Sequence, residues 1–323
     1  MKTITIDLNS FIPVSAAKEH LLEPRKRRGK IDIPFLVITL ILLIFGLVML
    51  FSASYAYAFY NQGNSFYYIE RQLLFAVMGI AAMLAVSFVN YKILQKYSLL
   101  LYAGSVALLI VALFMRDDRG FARWIYIGSF SFQPSEIAKF AIIVLFAHFA
   151  TVNANKMKTF QYGVMPFAAC LGLVVVLIIA EKHLSGTIII GALGIAMMWF
   201  GGTRLRYFGM LIGLGIAAVA VILIVPSFME YASNRVTMWT NPYADAKGEG
   251  YQTIQALIAI GSGGLWGTGL GNSRQKYLYI PAPQNDFIFA VVCEELGFIG
   301  ASLVLILFAL LVWRGYVIAI NCP

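Results

Sequence analysis

Charged residues are scarce in this chain. They make up 12% of its 323 residues, whereas hydrophobic residues make up 60%. Charged residues ordinarily form about a quarter of a globular protein, so here the polar side chains are too few to cover the apolar ones in water. The composition excludes a cytosolic globular enzyme and a disordered polypeptide, and it predicts a protein whose solvent is the lipid bilayer.

Cysteine and histidine are also rare, with three of each. Cys170 and Cys293 lie in apolar runs and Cys322 is next to last, so small buried side chains are favoured over a redox or metal pair. No two histidines stand at metal-binding spacing, which argues against a zinc site. A disulfide-built secreted module is therefore excluded as well.

Long apolar runs, by contrast, are abundant. A spanning helix needs about 20 mostly apolar residues, and eight runs approach that length. The predicted spans are Ile33 to Ser54, Leu73 to Asn90, Ser98 to Met115, Pro134 to Val152, Val164 to Ala180, Ser185 to Phe200, Tyr207 to Phe228 and Phe287 to Trp313. Hydrocarbon admits only helices and closed barrels, and barrel strands are shorter and alternating, so we predict an all-α polytopic membrane protein.

The formal charge of +9 is concentrated on one side of these spans. A basic leader, residues 1–32, and alternate loops as far as Arg314 hold 14 of the 24 basic residues and only four acids. By the positive-inside rule this side, with the N-terminus, is cytoplasmic. The excess charge is thus a topology signal, and we predict binding to the membrane surface and no nucleic-acid partner.

The opposite, outer side carries two longer loops, residues 116–133 and residues 227–286. The second joins the seventh and eighth spans, and a loop of that length in an otherwise economical membrane protein is usually functional. We predict one transmembrane domain over residues 33–323, with residues 227–286 as its outer loop. Within this loop, the apolar spacing from Gln252 to Ile260 indicates a short helix lying on the membrane interface or dipping into it.

Several ionisable side chains near the apolar runs are candidates for a functional site. Glu136 and Lys139 stand three residues apart at the start of the fourth span, so they share a helix face and form either a structural ion pair or a functional one. Arg123 lies among aromatic residues, where an interfacial anchor is favoured over anion binding. Arg274 and Lys276 are suited to hold phosphate or to touch anionic headgroups.

Asp286 is the strongest candidate for chemistry. It follows Pro281 and Pro283 at the outer mouth of the eighth span, where we expect a partly desolvated carboxylate that acts as a general base. The competing interpretation is a helix N-cap, because aspartate is preferred at that position. Glu294 and Glu295 follow in the same span, and we expect that at least one of them avoids lipid.

Four stretches of this sequence resemble the SEDS family of bacterial cell-shape, division and sporulation proteins, FtsW, RodA and SpoVE. The matching stretches are Arg119-Gly120 with Arg123-Trp124-Ile125; Phe132-Gln133-Pro134-Ser135-Glu136 with Lys139; His183-Leu184-Ser185-Gly186-Thr187; and a run from Gly250-Tyr251-Gln252 through Gly269-Leu270-Gly271 to Asp286-Phe287-Ile288-Phe289-Ala290 and Glu294-Glu295-Leu296-Gly297. The His-Leu-Ser-Gly-Thr stretch is more similar to the FtsW and SpoVE branch than to RodA.

The resemblance implies a membrane glycosyltransferase of the bacterial cytoplasmic membrane. Such an enzyme polymerises lipid II into glycan strands, in division, cell shape or sporulation, beside a class B penicillin-binding protein. Asp286 matches the family's essential aspartate and would deprotonate the acceptor 4-hydroxyl in a single inverting displacement. The resemblance also implies substrate-binding roles for Arg123, Glu136, Lys139, His183, Arg274 and Lys276. The cations among them, or a divalent ion (Mg²⁺ or Mn²⁺), would stabilise the leaving pyrophosphate; no metal ligands are predicted.

The chain departs from the family in length. Family members usually have ten spans, whereas this sequence ends after the eighth, so we expect a truncated product that lacks the last two helices. A smaller departure is Lys182, where a proline is common. Two alternative functions remain open at this point: a flippase that carries lipid II across the membrane, and a catalytically silent binding partner.

Overall fold

The computed structural model describes residues 31–115, 123–128, 130–223, 233–234, 236–248 and 250–322. They group into two compact units. The central unit lies within Val89–Val221, and the terminal unit lies within Lys26–Phe88 and Ile222–Pro323. The basic leader up to Lys30, the Arg119-Gly120 pair and the predicted end of the seventh span at Phe228 fall outside the described residues.

Helices make up most of both units. In chain order they are α1 (Ile33–Gln62), α2 (Tyr67–Ser87), α3 (Lys92–Lys96), α4 (Ser98–Phe114), α5 (Pro134–Val152), α6 (Phe160–Gly163), α7 (Met165–Ala180), α8 (Leu184–Phe200), α9 (Leu205–Leu223), α10 (Tyr251–Gly263), α11 (Pro283–Asp286) and α12 (Ile288–Ile320). Short 3-10 turns cover Ala154–Lys156 and Pro242–Asp245.

All eight predicted spans coincide with helices over the residues that the structure describes. The fourth has the predicted bounds, Pro134–Val152, whereas the second begins earlier than predicted, at Tyr67. Among the described residues, five helices are long and apolar enough to cross a membrane, and α4 and α8 are shorter apolar helices. Large apolar side chains point outward along α1, as on a helix that faces lipid; they include Val37, Ile41, Ile44 and Val48. The polytopic helical prediction is confirmed.

One element of the first outer loop is not helical. Strands β1 (Ile125–Ile127) and β2 (Phe130–Phe132) form an antiparallel hairpin in which Tyr126 pairs with Ser131. The side chains of Trp124 and Tyr126 are exposed, which suits the interfacial anchor expected there. The hairpin was not predicted, because the aromatic and cationic residues that signal an interface also mask the alternation of so short a strand.

The core of the central unit is built by α4, α5, α7 and α8. Its fully buried members are apolar and come from all four helices, among them Leu109, Leu145, Phe167 and Ile190. The rings of Phe146 and Phe167 meet edge to face with centroids 4.8 Å apart. The motif residues of this unit lie outside this core, at the helix ends and in the connecting loops.

The terminal unit is built around α1, which packs against α2 and α12. Asp32 caps α1 by accepting a hydrogen bond from the Phe35 amide at 2.9 Å. The same carboxylate receives Arg314 of α12 in a two-point ion pair, with Nη2 2.7 Å from Oδ2 and Nε 3.0 Å from Oδ1. The start of α1 and the end of α12 thus lie together, as the predicted cytoplasmic position of both requires.

Helix α12 is interrupted at Gly297, whose φ of 66° and ψ of −169° lie in a region that only glycine adopts readily. The break releases carbonyl and amide groups of the helix. The segment Gly264 to Ala282, named here the return segment, supplies partners for them: Thr268 and Gly269 donate to the carbonyls of Glu294 and Glu295, and the amides of Phe298 and Ile299 donate to Gly264 and Leu265. These four bonds measure 2.9 to 3.2 Å.

Substituting Gly297 should destabilise the terminal unit. A Cβ at this position would overlap the Gly267 amide and the Leu265 carbonyl, and the backbone conformation is strained for any other residue. We expect Gly297→Ala to lower the free energy of unfolding by at least about 2 kcal/mol. Gly46→Ala, at an open position on α1, is the matched control and should leave stability unchanged or raised. Thermal or denaturant unfolding of the purified protein in detergent would test both variants, and equal stabilities would contradict the assignment of the break.

Candidate functional site

The predicted site residues fall into two groups, one in each unit. Arg274, Lys276 and Asp286 belong to the terminal unit. Arg123, Glu136, Lys139 and His183 belong to the central unit. Each group occupies the loops and helix ends that the sequence places on the outer side.

Asp286 is the last residue of α11, the short helix that precedes α12. The N-cap position of α12 is Phe287, and no side chain bonds the helix there, so the capping interpretation of Asp286 is wrong. The Asp286 side chain is exposed, so packing within the described part of the protein does not desolvate it. A carboxylate that is neither a cap nor buried is available to a substrate.

Lys276 is buried, with 3% of its surface exposed, and its ammonium contacts three oxygen atoms. Nζ lies 2.8 Å from Glu295 Oε1, 3.1 Å from Ser52 Oγ and 2.6 Å from the Gly271 carbonyl. Ser52 in turn donates to the Glu295 carboxylate at 2.7 Å. The predicted phosphate-binding role of Lys276 requires an accessible ammonium, whereas its contacts join the return segment to α1 and α12.

Glu294 is held by the return segment in a different way. Its carboxylate accepts hydrogen bonds from the Ser273 hydroxyl at 2.5 Å and from the Arg274 amide at 2.9 Å, and the Gln275 amide lies 3.4 Å away. Glu294 and Glu295 are both fully buried, which confirms that they avoid lipid. The Arg274 backbone is thereby fixed while its side chain stays exposed.

Glu136 and Lys139 form the predicted ion pair in the first turns of α5, with Nζ 2.7 Å from Oε2. The Glu136 side chain is 59% exposed and that of Lys139 is 24% exposed. The pair therefore sits at an open helix end and not deep within the bundle. Its carboxylate and ammonium are both accessible to a polar ligand.

His183 ends the loop between α7 and α8. Its Nδ1 lies 3.3 Å from Gln133 Nε2, and its ring packs so closely on Gly186 that a Cβ there would overlap it. Burial and the neighbouring Arg123 and Lys139 cations lower the pKa of His183, which favours the neutral ring. Gly186 in the His-Leu-Ser-Gly-Thr stretch thus makes room for the histidine.

Arg123 binds the same loop by donating from Nη2 to the Lys182 carbonyl. Lys182 has a φ of 55°, a left-handed conformation that a proline ring cannot adopt. The departure from the family at this position therefore accompanies a loop conformation that proline would forbid.

Glu181, in the same loop, was not among the predicted site residues. Its side chain is fully buried, and neither carboxylate oxygen has a hydrogen-bond partner among the described residues. Burial raises the pKa of Glu181 to about 7, and Arg123 opposes this shift. The signal that could have identified it is an acid directly after the apolar run of α7.

Other residues that hold the terminal group together also escaped prediction. Ser52 and Ser273 are common residues in apolar or glycine-rich surroundings, and no local pattern pairs them with glutamates more than 20 residues away. Among the described residues, no three His, Cys, Asp or Glu side chains converge to hold a metal ion. The divalent cation therefore stays a prediction, and we assign it no residue and no step.

Replacing Glu181 by glutamine should remove a pH dependence of stability. Because burial raises the pKa from 4.5 to about 7, the folded protein holds a proton that the unfolded chain releases, and stability falls as the pH rises through this window. One pKa unit corresponds to about 1.4 kcal/mol, so the rise from 4.5 to about 7 corresponds to about 3.5 kcal/mol at most. Unfolding measured from pH 4.5 to above 7 should show a flatter profile for Glu181→Gln, and greater stability than wild type at the upper end. Glu70→Gln, an exposed carboxylate on α2, controls for the loss of one charge; equal profiles for the two variants would contradict the prediction.

Curated relatives align with about nine-tenths of this chain. Stage V sporulation protein E of Bacillus subtilis is 40% identical over 297 residues, which cover 90% of this chain and 80% of the relative. A probable peptidoglycan glycosyltransferase FtsW of Geobacter sp. strain M18 is 33% identical, with coverage of 90% and 79%.

Two solved structures have a fold similar to that of this chain. One is a chain of a peptidoglycan synthase complex, described in terms of the structural coordination of polymerization and crosslinking. Its TM-score to this chain is 0.68 at 27% identity, and the match covers 90% of this chain and 79% of that chain. The rod shape determining protein RodA of Thermus thermophilus has the same fold, with a TM-score of 0.60, 21% identity, and coverage of 90% and 76%. The family model of FtsW, RodA and SpoVE, described as cell cycle protein, matches residues 33–323. This chain belongs to the FtsW, RodA and SpoVE family.

Proposed function

We propose that this protein is a peptidoglycan glycosyltransferase of the bacterial cytoplasmic membrane, and that it polymerises lipid II into glycan strands. The observation that carries the proposal is the Asp286 carboxylate just before α12, which is exposed and does not cap the helix. Relatives that match at least 90% of this chain are named probable peptidoglycan glycosyltransferases, which supports the reaction class. The apolar helices support a multi-pass membrane protein.

Asp286 acts as the general base in this proposal. Its carboxylate takes the proton of the acceptor sugar's 4-hydroxyl while that oxygen bonds to the anomeric carbon of the donor. The bond from the anomeric carbon to the pyrophosphate oxygen breaks in the same step, and its electron pair leaves with undecaprenyl pyrophosphate. A single displacement inverts the anomeric configuration, so an α-linked donor gives a β-linked glycan.

Arg274 is the terminal-unit cation best placed to stabilise the leaving pyrophosphate. Its backbone amide is held by Glu294, and its guanidinium is exposed on the return segment that leads to Asp286. A guanidinium presents parallel N–H donors that match phosphate oxygens. The substrate-binding roles of Arg123, Glu136, Lys139 and His183 in the central unit remain predictions.

A class B penicillin-binding protein is the proposed partner. The solved complex that this chain resembles couples polymerization to crosslinking, and crosslinking is the work of such a transpeptidase. The flippase alternative depended on an intramembrane Glu136 and Lys139 pair. Because that pair lies at the open start of α5, no observation favours transport over polymerisation.

Replacing Asp286 by asparagine should abolish polymerisation while substrate binding persists. The amide keeps the shape of the side chain but takes up no proton, so we expect kcat to fall by at least about 100-fold. Asp245→Asn is the matched control, because Asp245 is another outer-loop aspartate, which accepts a hydrogen bond from the Gly248 amide. Glycan product from lipid II, resolved by gel, measures activity, and normal polymerisation by Asp286→Asn would sink the assigned base. Polymer from the wild-type chain would also contradict the silent-partner alternative.

Replacing Arg274 by glutamine should impair the same assay in a different way. Loss of a cation that stabilises developing negative charge typically costs about 100-fold in kcat, and Arg274→Lys should recover part of it. Lys247→Gln removes an exposed outer-loop cation and should retain wild-type activity. Equal rates for Arg274→Gln and Lys247→Gln would exclude Arg274 from the reaction.

A further inference from the structure

The buried ion pair between Lys276 and Glu295 is the feature of the terminal unit that the proposed chemistry does not use. Less than 5% of either side chain is exposed, since the accessible fractions are 4% and 0%. All three contacts of the ammonium are to protein oxygens, on α1, α12 and the return segment itself. A phosphate could reach this ammonium only by displacing them.

The energetics of such a pair make it a strong constraint on the chain. A buried ion pair adds little folding free energy compared with apolar residues of the same shape. Removing one partner is nevertheless costly, because it leaves the other charge buried and uncompensated. The return segment is therefore fixed at Lys276, because moving this residue away would separate the buried charges. Ser52 reinforces the pair by bonding both Lys276 and Glu295.

The chain from Lys276 to Asp286 is fixed at further points. Ile280 is fully buried in a cluster with Ala256, Ala259 and Ala290. The Pro281 carbonyl accepts a hydrogen bond of 3.0 Å from Gln252 on α10. Displacement of the Lys276 anchor would therefore be transmitted to the exposed Asp286 along a segment that has little freedom of its own.

We infer that Lys276 is a positioning residue, which acts through Glu295 and Ser52 to set the place of Arg274 and Asp286 and does not contact the substrate. This inference rests on the proposed function. It assigns the two cations of the return segment different tasks, since Arg274 is exposed to the substrate whereas Lys276 is committed to the protein.

The inference is tested with Lys276→Met, Glu295→Gln and the double variant. Each is assayed on lipid II, and its rate is expressed per folded molecule. For Lys276→Met we expect kcat to fall by about 100-fold, the effect of misplacing a catalytic group by about 1 Å, with KM unchanged. The double variant should regain about tenfold over Lys276→Met, because neither charge is then left without a partner. Lys247→Met is the control and should match wild type.

Two results would overturn the inference. The first is a higher KM for Lys276→Met with no recovery of rate in the double variant, which is what loss of a direct phosphate ligand would give. A merely structural lysine would lower the folded fraction while kcat per folded molecule stayed at the wild-type value. If Lys276→Met does not fold, Ser52→Ala takes its place, since it leaves the ion pair and removes only the hydroxyl; a lower kcat at constant KM supports positioning, and an unchanged kcat opposes it. Absence of polymer from the wild-type chain would defeat the proposed function, and the inference with it, whereas polymer without rescue would defeat the inference alone.

Discussion

A helix that is broken within an apolar medium must find partners for the backbone groups that the break releases, because no water replaces them. At Gly297 those partners come from the return segment, which gives two amides and two carbonyls to α12. This exchange determines where the outer loop meets α12. The close approach at Gly267, the burial of Glu294 and Glu295 and the presentation of Asp286 all depend on it.

The three acids at the start of α12 and just before it are separated by environment. Glu295 is neutralised by Lys276, and Glu294 is held by hydroxyl and backbone N–H donors of residues 273–275. Asp286 is exposed. Carboxylates of the same chemical type thus take different roles according to their surroundings, two as attachments for the loop and one as a reactive group. The contacts of Glu294 and Glu295 hold the loop in place and leave the Asp286 carboxylate free of these contacts.

The helices were predictable because membrane spans are encoded locally, by apolar length and by the distribution of basic residues. Pro134–Val152 has the bounds predicted for it, and the Glu136 and Lys139 pair follows from helix periodicity alone. The network of the terminal unit was not predictable in that way. Ser52 meets Glu295 across 243 positions, and a buried lysine cannot be told from an exposed one by its neighbours in a glycine-rich loop. The exposure of Asp286 within the protein was not predictable for the same reason, since it depends on how the return segment folds.

The terminal unit is closed by contacts between distant parts of the chain. Arg314 reaches back 282 positions to Asp32, and Glu295 reaches back to Ser52. Loop closure over such distances is slow, and it cannot begin before both partners have been made. During synthesis α1 therefore stays in the bilayer, with the face that will receive α12 covered by lipid or by another protein, until α12 has been inserted. Assembly of the candidate catalytic segment consequently has to follow insertion of α12, after the spans that precede it are in the membrane.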